Sequence, residues 1–310
     1  MTFVLAAPRA ALGPLRPLLR EHERSREVRV IEAASLEAGS VEALCEAAAD
    51  ADGLLLVGDR RRAPRTALPG PFLVDPSGRA VPAGWLPDLG SGLEVFAKTA
   101  ARVQRRTGPP GPLAVLGQWE PRYIQLAGRL EANLCRGGEP PFPVLRWTSE
   151  RITRSDLVAG LRLGLGVGIY FGHGRPSGWA GYHGLRARHL VEAAGEPLGV
   201  LFSVTCLTAN RHRVGLSFSE AVVTGGAAAA AVGAVDLVAH VDNMRWMLGL
   251  ADALRSGEAR LGAALLAAAP RAMSQTPYRI IGDPLALLVG TAEGARRAER
   301  VFAPAPELAA

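Results

Sequence analysis

The chain has 310 residues, 48% of them hydrophobic, so it is long enough to bury a large core in one domain or two. Its formal net charge is +6, and Lys98 is the single lysine among the basic residues. The arginines are scattered without clustered aromatic residues, which argues against a nucleic-acid-binding surface. No apolar run approaches the roughly 20 residues that span a bilayer, so nothing indicates a membrane partner.

The cysteines give an expectation about the compartment. Cys45, Cys135 and Cys206 are far apart and odd in number, which is not typical of a disulfide framework and favours a reducing environment. The first eight residues lack the basic and apolar regions of a signal peptide and predict a strand instead. We therefore expect a cytoplasmic protein, and the richness in arginine and alanine is typical of a GC-rich, bacterial genome.

Residues 1–108 predict a small α/β subdomain. Short apolar runs at 2–6, 28–31 and 53–57 alternate with helical spacing at 10–20 and 41–49, which indicates parallel strands joined by helices. The segment 60–90 is rich in proline, glycine and arginine, and we interpret it as a solvated surface loop. The alternative is a functional loop that overhangs a site or offers an internal cleavage point. Ser91 and Glu94 fit a capping box, so a helix is expected over 91–106.

A second unit, residues 109–300, predicts a larger sheet, followed by a frayed tail at 301–310. Six apolar runs are interpreted as strands, and helical patterns separate them. This alternation indicates a doubly wound α/β sheet of mostly parallel strands. The predicted strands are 113–116, 144–147, 166–171, 198–205, 228–235 and 278–289, and the predicted helices are 122–135, 155–163, 185–194, 217–224 and 243–268.

Two of these strands each end in a reactive side chain. The run 165–171 leads into Gly172, His173 and Gly174, and the run 198–205 ends at Cys206. The carboxyl ends of neighbouring parallel strands lie at one edge of the sheet, which is where open α/β sheets bind ligands. A cysteine and a histidine released there would form a nucleophile and its base. Taken singly, each is more often structural, because free cysteine is commonly a buried small hydrophobe.

At these residues the sequence resembles the gingipain-like cysteine peptidases, which have a caspase-like fold. Four segments carry the resemblance, in the order of that family and each at the end or start of a predicted element. They are Tyr170-Phe171-Gly172-His173-Gly174, Phe202-Ser203-Val204-Thr205-Cys206, Phe218-Ser219-Glu220-Ala221 and Ile280-Ile281-Gly282-Asp283-Pro284.

The resemblance implies a three-layer α/β/α sheet of about six strands and a cysteine endopeptidase that acts on a protein or peptide substrate. Because the chain is short and has no evident secretion or adhesion domain, we expect specific processing of one protein rather than bulk digestion. His173 and Cys206 would be the catalytic dyad, with no cofactor and no required third residue. The backbone N–H groups of Gly174 and Cys206 would bind the oxyanion. Glu220 is interpreted as structural, paired with an arginine, and Asp283 as part of a turn.

The specificity of such a peptidase is expected to lie in a pocket near the fourth to sixth strands. Asp236 and Asp242 follow the fifth strand, and a buried carboxylate there would bind a basic side chain by charge-assisted hydrogen bonds. Trp179, six residues after His173, would wall the pocket or stack on substrate, with ordinary packing as the alternative. The sequence leaves the oligomeric state open.

Two rival interpretations remain. His173, His183, His189, His212 and Cys206 lie within 40 residues, but none of their spacings is the short one that fixes two zinc ligands on one element. We therefore predict no metal. The other rival is a catalytically inactive interaction or signalling module that keeps the fold. Cys45 and Cys135 are expected in the core.

Overall fold

The protein is described here by a computed structural model, which covers residues 1–32, 41–268 and 277–301. Strands and helices alternate along the chain. The strands are β1 (Thr2–Ala7), β2 (Glu27–Glu32), β3 (Gly53–Asp59), β4 (Phe72–Val74), β5 (Ala80–Asp88), β6 (Leu113–Gly117), β7 (Val144–Arg146), β8 (Val167–Phe171), β9 (Gly174–Arg175), β10 (Gly178–Trp179), β11 (Leu198–Val204), β12 (Ala228–Ala234) and β13 (Tyr278–Gly282). The helices are α1 (Arg9–Glu23), α2 (Val41–Ala47), α3 (Pro64–Ala67), α4 (Ser91–Gln104), α5 (Pro121–Leu134), α6 (Arg154–Leu161), α7 (Gly181–Gly184), α8 (Ala187–Val191), α9 (Phe218–Thr224), α10 (His240–Arg255), α11 (Leu261–Ala268) and α12 (Ala292–Val301).

One sheet of 11 strands organises the described residues, in the order β2-β1-β3-β5-β13-β12-β11-β8-β6-β7, with β4 paired to β5. The strands are parallel except at the β12–β13 and β4–β5 pairs. Strands β9 and β10 form a separate small hairpin. The predicted mostly parallel sheet is confirmed.

Helices cover this sheet in two groups. Helix α4 packs on α1 and α9, and α8 packs on α9 and α6, while α10 packs on α5 and α11. Strands β8, β11 and β12 are buried along their whole length, as expected for parallel strands covered on both faces. We therefore infer that the two groups lie on opposite faces, which gives three layers around one core.

The six strands predicted in the second half are all present. Strand β8 ends just before His173, and β11 ends just before Cys206, as expected. The last strand differs from the prediction because it is antiparallel and stops at Gly282. The predicted tail lies outside the described residues beyond Val301.

The interpretation of 60–90 as a loop is wrong. This segment contains α3, β4 and the nine-residue strand β5, which is buried between β3 and β13. The strand was missed because it contains Pro82, Gly84 and Pro87, and proline lacks the N–H that donates in a sheet ladder. Only Gly84 and Trp85 pair with β13, so both prolines lie outside that ladder.

Two helix predictions also need correction. Helix α4 begins at Ser91 without a side-chain cap, and Glu94 instead pairs with Lys98 at 2.7 Å. The helix predicted over 243–268 is two helices, α10 and α11. Gly257 lies between them with a positive φ of 91°. Helices commonly end at a residue in this left-handed conformation, which glycine adopts more easily than residues with a side chain.

The two predicted units share one sheet, because β5 of the first half pairs with β13 of the second. A boundary near residue 108 stays a prediction about the chain's organisation, and the strand pairing runs across it. Among the described residues, no helix is long and apolar enough to cross a membrane.

Candidate active site

The carboxyl ends of β8 and β11 bring Cys206 and His173 to the same edge of the sheet. In the parallel register Phe171 lies opposite Val204, and each reactive residue follows two positions later. The two strand ends are tied together by a hydrogen bond of 2.6 Å from Thr205 Oγ1 to the carbonyl oxygen of Gly172. The predicted adjacency of the strand ends is therefore present, and the joint role of the two side chains in catalysis stays a prediction.

Gly174 marks how closely the two loops approach. A Cβ atom built on this residue would overlap the carbonyl oxygen of Cys206 and contact the side chain of Thr205. Only glycine leaves room for the backbone to lie this close. The residue after His173 is thus packed directly against the residue predicted as nucleophile.

Cys206 lies in a sharp turn and is partly buried. Its Sγ accepts a hydrogen bond of 3.4 Å from the N–H of Val238, in the connection between β12 and α10. Leu207 has a left-handed backbone, φ 63°, which is strained for a residue with a side chain. Its N–H donates to the carbonyl oxygen of Asp236 at 3.3 Å, so the turn is held from the neighbouring strand end.

His173 is surrounded by side chains from the connection between β6 and α5 and from the first turn of α5. Arg122 Nη2 donates to Nε2 of the imidazole at 2.7 Å, and Glu120 Oε1 lies 3.4 Å from the same nitrogen. Tyr123 Oη lies 3.3 Å from Nε2. The backbone N–H of His173 donates to Gln118 Oε1 at 2.7 Å. The sequence interpretation missed all four, although they follow a predicted strand at the same edge, which is the signal that could have found them.

A second imidazole, His240 at the start of α10, faces the same cluster. The ring of Tyr123 lies edge-on to both histidines, with centroid distances of 5.3 Å to His173 and 5.5 Å to His240. Burial lowers the pKa of His240, with help from the charge of Arg122, so this ring is neutral at pH 7. Burial raises the pKa of Tyr123, which keeps the phenol protonated.

The structure does not support Trp179 as a substrate contact. Its side chain is fully buried, stacks on Tyr170 with centroids 4.1 Å apart, and donates from Nε1 to Ser203 Oγ at 2.9 Å. These contacts fit the alternative that the sequence left open, in which Trp179 is an ordinary packing residue.

The predicted buried carboxylate is also absent at Asp236 and Asp242. The Asp236 side chain is 48% exposed and pairs with Arg65 Nη1 at 3.0 Å. Asp242 is exposed in the first turn of α10 and pairs with Arg245 at 3.6 Å. Solvent reaches both carboxylates because the loop that carries Asp236 and the first turn of α10 lie at the surface.

A cleft of about 560 Å³ opens next to the turn that follows Cys206. It lies between the segments that follow β11 and β12 and helix α3, near the strands where the sequence predicted a specificity pocket. Its walls include the apolar side chains of Leu207, Val235 and Leu237, with Arg65 and His212 among its polar residues. Such a concave, partly apolar surface is typical of a ligand site.

Glu220, at the start of α9, has a structural role, as predicted. It is fully buried, and Arg211 donates to it from Nε at 2.7 Å and from Nη2 at 2.6 Å. Trp85 Nε1 donates at 3.0 Å, and Ser217 completes a capping box at the start of α9. The predicted structural pairing with an arginine is confirmed.

The rival histidines are dispersed. His183 and His189 line a separate cleft beside α6, and His212 lines the cleft next to Leu207. Among the described residues, no group of three histidine, cysteine or acidic side chains converges as a metal site. Cys135 is exposed at the end of α5, which corrects its predicted core position, whereas Cys45 is partly buried and packs against the core.

Comparison with known proteins gives one match to a protein family and several matches to solved structures. The model of peptidase family C25 matches residues 143–289. Two solved structures share the fold. One is the complex of the pro- and mature domains of Porphyromonas gingivalis RgpB, at 15% identity and a TM-score of 0.72, which covers 93% of this chain and 81% of that chain. The other is the Arg-specific cysteine proteinase gingipain R (RgpB), at 13% identity and a TM-score of 0.70. This match covers 92% of this chain and 78% of that chain. No curated protein sequence gives a significant match.

The structural likeness, at such low identity, concerns the fold, and the family model concerns the segment from β7 to β13 that contains both reactive residues. Residues 143–289 therefore match the model of peptidase family C25, and the chain shares the caspase-like fold of the gingipain structures, which together support a cysteine-type peptidase.

Proposed function

We propose that the chain hydrolyses peptide bonds with Cys206 as the nucleophile and His173 as the acid and base. The observation that carries the proposal is the parallel register of β8 and β11, which ends both strands two residues before these side chains. The side chain of His173 is about half exposed and Cys206 is partly exposed, so a substrate can approach this edge.

The reaction follows from the two groups. His173 accepts the thiol proton, and the sulfur of Cys206 attacks the carbonyl carbon of the scissile bond. The C–N bond then breaks, and the imidazolium gives its proton to the departing amine, which leaves a thioester. Water attacks the thioester while it gives a proton to His173. The C–S bond breaks, a carboxylic acid leaves, and the thiol regains its proton.

The oxyanion formed at each attack needs preorganised N–H donors. We assign this role to the backbone N–H groups of Gly174 and Cys206. The close approach of Gly174 to the Cys206 carbonyl supports the assignment, because the two loops that carry these N–H groups are then in contact. A side chain at position 174 would push the two loops apart.

Glu120 extends the dyad. In the structure Arg122 donates to Nε2 of His173, and arginine has no acceptor, so this nitrogen carries no proton. When the imidazole takes the thiol proton, Glu120 Oε1 at 3.4 Å is the carboxylate that can stabilise the positive ring. Glu120 is therefore a positioning residue for His173.

Cleavage after a basic residue is the specificity proposed through Asp236. Its carboxylate pairs with Arg65, which lines the cleft, and its carbonyl oxygen accepts a hydrogen bond from the N–H of Leu207, next to Cys206. In the structure Arg65 forms an ion pair with that carboxylate, and both side chains of the pair are substantially exposed. Exposed ion pairs contribute only about 0–1 kcal/mol, so a substrate arginine or lysine can displace Arg65.

The test compares wild type with Cys206→Ala on a mixed peptide library and with a thiol-reactive peptide probe. We expect wild type to cleave peptides and the probe to modify Cys206, and the variant to lose activity by a factor on the order of 10³ or more. Cys135→Ala is the matched control, because Cys135 is exposed and outside the site. This control should cleave and react like wild type.

Equal behaviour of wild type and Cys206→Ala would contradict the proposal. It would favour the inactive interaction module, which keeps the fold and binds through the cleft without cleaving. Modification of Cys135 in place of Cys206 by the peptide probe would contradict the assignment of the nucleophile.

A further inference from the structure

Trp119 stands apart from the other tryptophans of the chain. All five lie in the described residues, and Trp119 is 65% exposed. The other four are at most 2% exposed and belong to the core; they are Trp85, Trp147, Trp179 and Trp246. A large aromatic side chain left in water is costly, and it gains most from burial by a partner.

The position of Trp119 ties it to the dyad. The residue before it, Gln118, binds the backbone N–H of His173, and the residue after it, Glu120, lies 3.4 Å from the imidazole. Its backbone is therefore fixed beside the catalytic histidine, while its side chain points to solvent. A rigid aromatic residue in this situation is typical of a binding contact.

The opposite side of the dyad carries a similar side chain. Leu237 is 72% exposed and precedes Val238, whose N–H bonds to the sulfur of Cys206. It also lines the cleft beside Leu207. The sheet order β12-β11-β8-β6 places Leu237 one strand beyond Cys206 and Trp119 one strand beyond His173.

This order sets the reach of a substrate. Neighbouring strands lie about 4.8 Å apart, so the three intervals from β12 to β6 span about 14 Å. An extended chain advances about 3.3 Å per residue and crosses that distance with about four residues. A peptide held with its scissile bond at the dyad would thus bring residues within about two positions of that bond to Trp119 and Leu237.

We propose that Trp119 and Leu237 are apolar contacts for an extended substrate on opposite sides of the dyad, and that Trp119 forms a subsite for a large apolar substrate side chain within two residues of the scissile bond. This inference rests on the proposed peptidase function and names the substrate chemistry of the same site. The occupant is an extended polypeptide segment, because the apolar side chains lie on the two loops that border the reactive residues.

The first experiment digests a proteome-derived peptide library with wild type and with Trp119→Ala. We expect the wild-type cleavage profile to be enriched in large apolar residues at one position near the cut, and the variant to lose that enrichment. For the best peptide, kcat/KM should fall about tenfold through KM, with kcat within about twofold. Trp119→Phe should recover most of the affinity.

Val74→Ala is the control for loss of an exposed apolar side chain. Val74 is also exposed, but it lies on β4, which pairs with β5, and β13 and β12 separate β5 from β11 and β8 in the sheet. This variant should keep the wild-type profile and KM. An unchanged profile and KM in Trp119→Ala would overturn the inference.

The second experiment measures binding without cleavage. The best peptide is titrated into Cys206→Ala and the tryptophan emission is recorded, because Trp119 is the exposed fluorophore. We expect a shift in the emission wavelength that is lost in Cys206→Ala/Trp119→Phe, and a shift of equal size in both proteins would contradict the inference.

Labelling by the thiol-reactive peptide probe distinguishes failure of the subsite from failure of the peptidase function. If Trp119→Ala is labelled and cleaves like wild type, the peptidase function stands and the subsite falls; if wild type neither cleaves nor reacts, both fall.

Discussion

Single side chains around His173 decide how its imidazole can work. Arg122 donates to Nε2, and Arg122 also pairs with Glu120 at 3.0 Å, so the three side chains form one small network. If Nε2 takes up a proton it becomes a hydrogen-bond donor, which Glu120 can accept and Arg122 cannot. Catalysis through the imidazolium therefore requires a shift of Nε2 from Arg122 toward Glu120.

Replacing Glu120 by glutamine tests this step. The amide keeps the shape of the side chain but removes the charge that stabilises the imidazolium, so we expect kcat to fall about 10- to 100-fold with little change in KM. Steady-state kinetics on a cleaved library peptide provide the measurement. Glu94→Gln is the control, because Glu94 is an exposed carboxylate on α4 that pairs with Lys98. An unchanged kcat in Glu120→Gln would show that the carboxylate plays no part.

The residues that the sequence could predict are those at strand ends within recognisable motifs. His173, Gly174 and Cys206 were found because an apolar run marks a buried strand and the residue after it must lie at the sheet edge. Trp179 and Asp236 show that the position of a residue after a strand does not determine its contacts. The sequence gives the order of residues along a loop, but burial of Trp179 and capture of Asp236 by Arg65 depend on contacts between distant segments.

At the scale of elements, the same limit appears in β5. Its central position in the sheet depends on pairing with β3 and β13, which lie far away in the sequence. Gly84 is required there, because a Cβ atom would overlap the carbonyl oxygen of Gly282. Local patterns found the strands that are continuous apolar runs and missed the one whose proline and glycine make sense only in its tertiary context.

The segment before β5 also reaches the site through α3. Arg65 on this short helix holds Asp236, so we expect Arg65→Ala to release a carboxylate for a basic substrate side chain. KM for a peptide with arginine before the scissile bond should fall about two- to fivefold, as expected for loss of an exposed pair, while kcat stays the same. Michaelis–Menten kinetics on that peptide would measure both quantities.

A double-mutant cycle makes this prediction specific. In an Asp236→Ala background, Arg65→Ala should have no effect on KM, because the carboxylate that both cations compete for is gone. Arg61→Ala, on the same connection, controls for loss of positive charge alone. A rise in KM in Arg65→Ala would contradict the competition and would indicate that Arg65 itself binds substrate.

At the scale of the whole molecule, Asp283 joins the two halves of the chain. It is fully buried in the turn after β13, where it accepts hydrogen bonds from Gln104 Nε2 at 2.7 Å and from the N–H of Leu285 at 2.9 Å. His22 Nε2 of α1 lies 3.2 Å from the same carboxylate. The turn that the sequence interpreted as structural thus fastens α1 and α4 to the last strand of the sheet.

This network predicts how stability depends on pH. Burial alone would raise the pKa of Asp283, but attraction and hydrogen bonding from His22, with the donors at Leu285 and Gln104, lower it below its ordinary value. The unfolded chain, in which an aspartate has a pKa of about 3.9, therefore binds the proton more readily. The stabilisation is fully present above that pH and is lost as pH falls through the lower pKa of the folded state.

Asp283→Asn removes the titrating group from this site. We expect its free energy of unfolding at pH 7 to fall by about 3 kcal/mol, because a buried carboxylate with several partners is replaced by an amide that cannot satisfy them all. Between pH 6 and pH 2.5 its stability should also fall less steeply than that of wild type. Urea denaturation across this range, with Asp242→Asn as an exposed control, measures both effects. Parallel pH curves for wild type and Asp283→Asn would contradict the linkage, since the wild-type loss would then arise from other carboxylates.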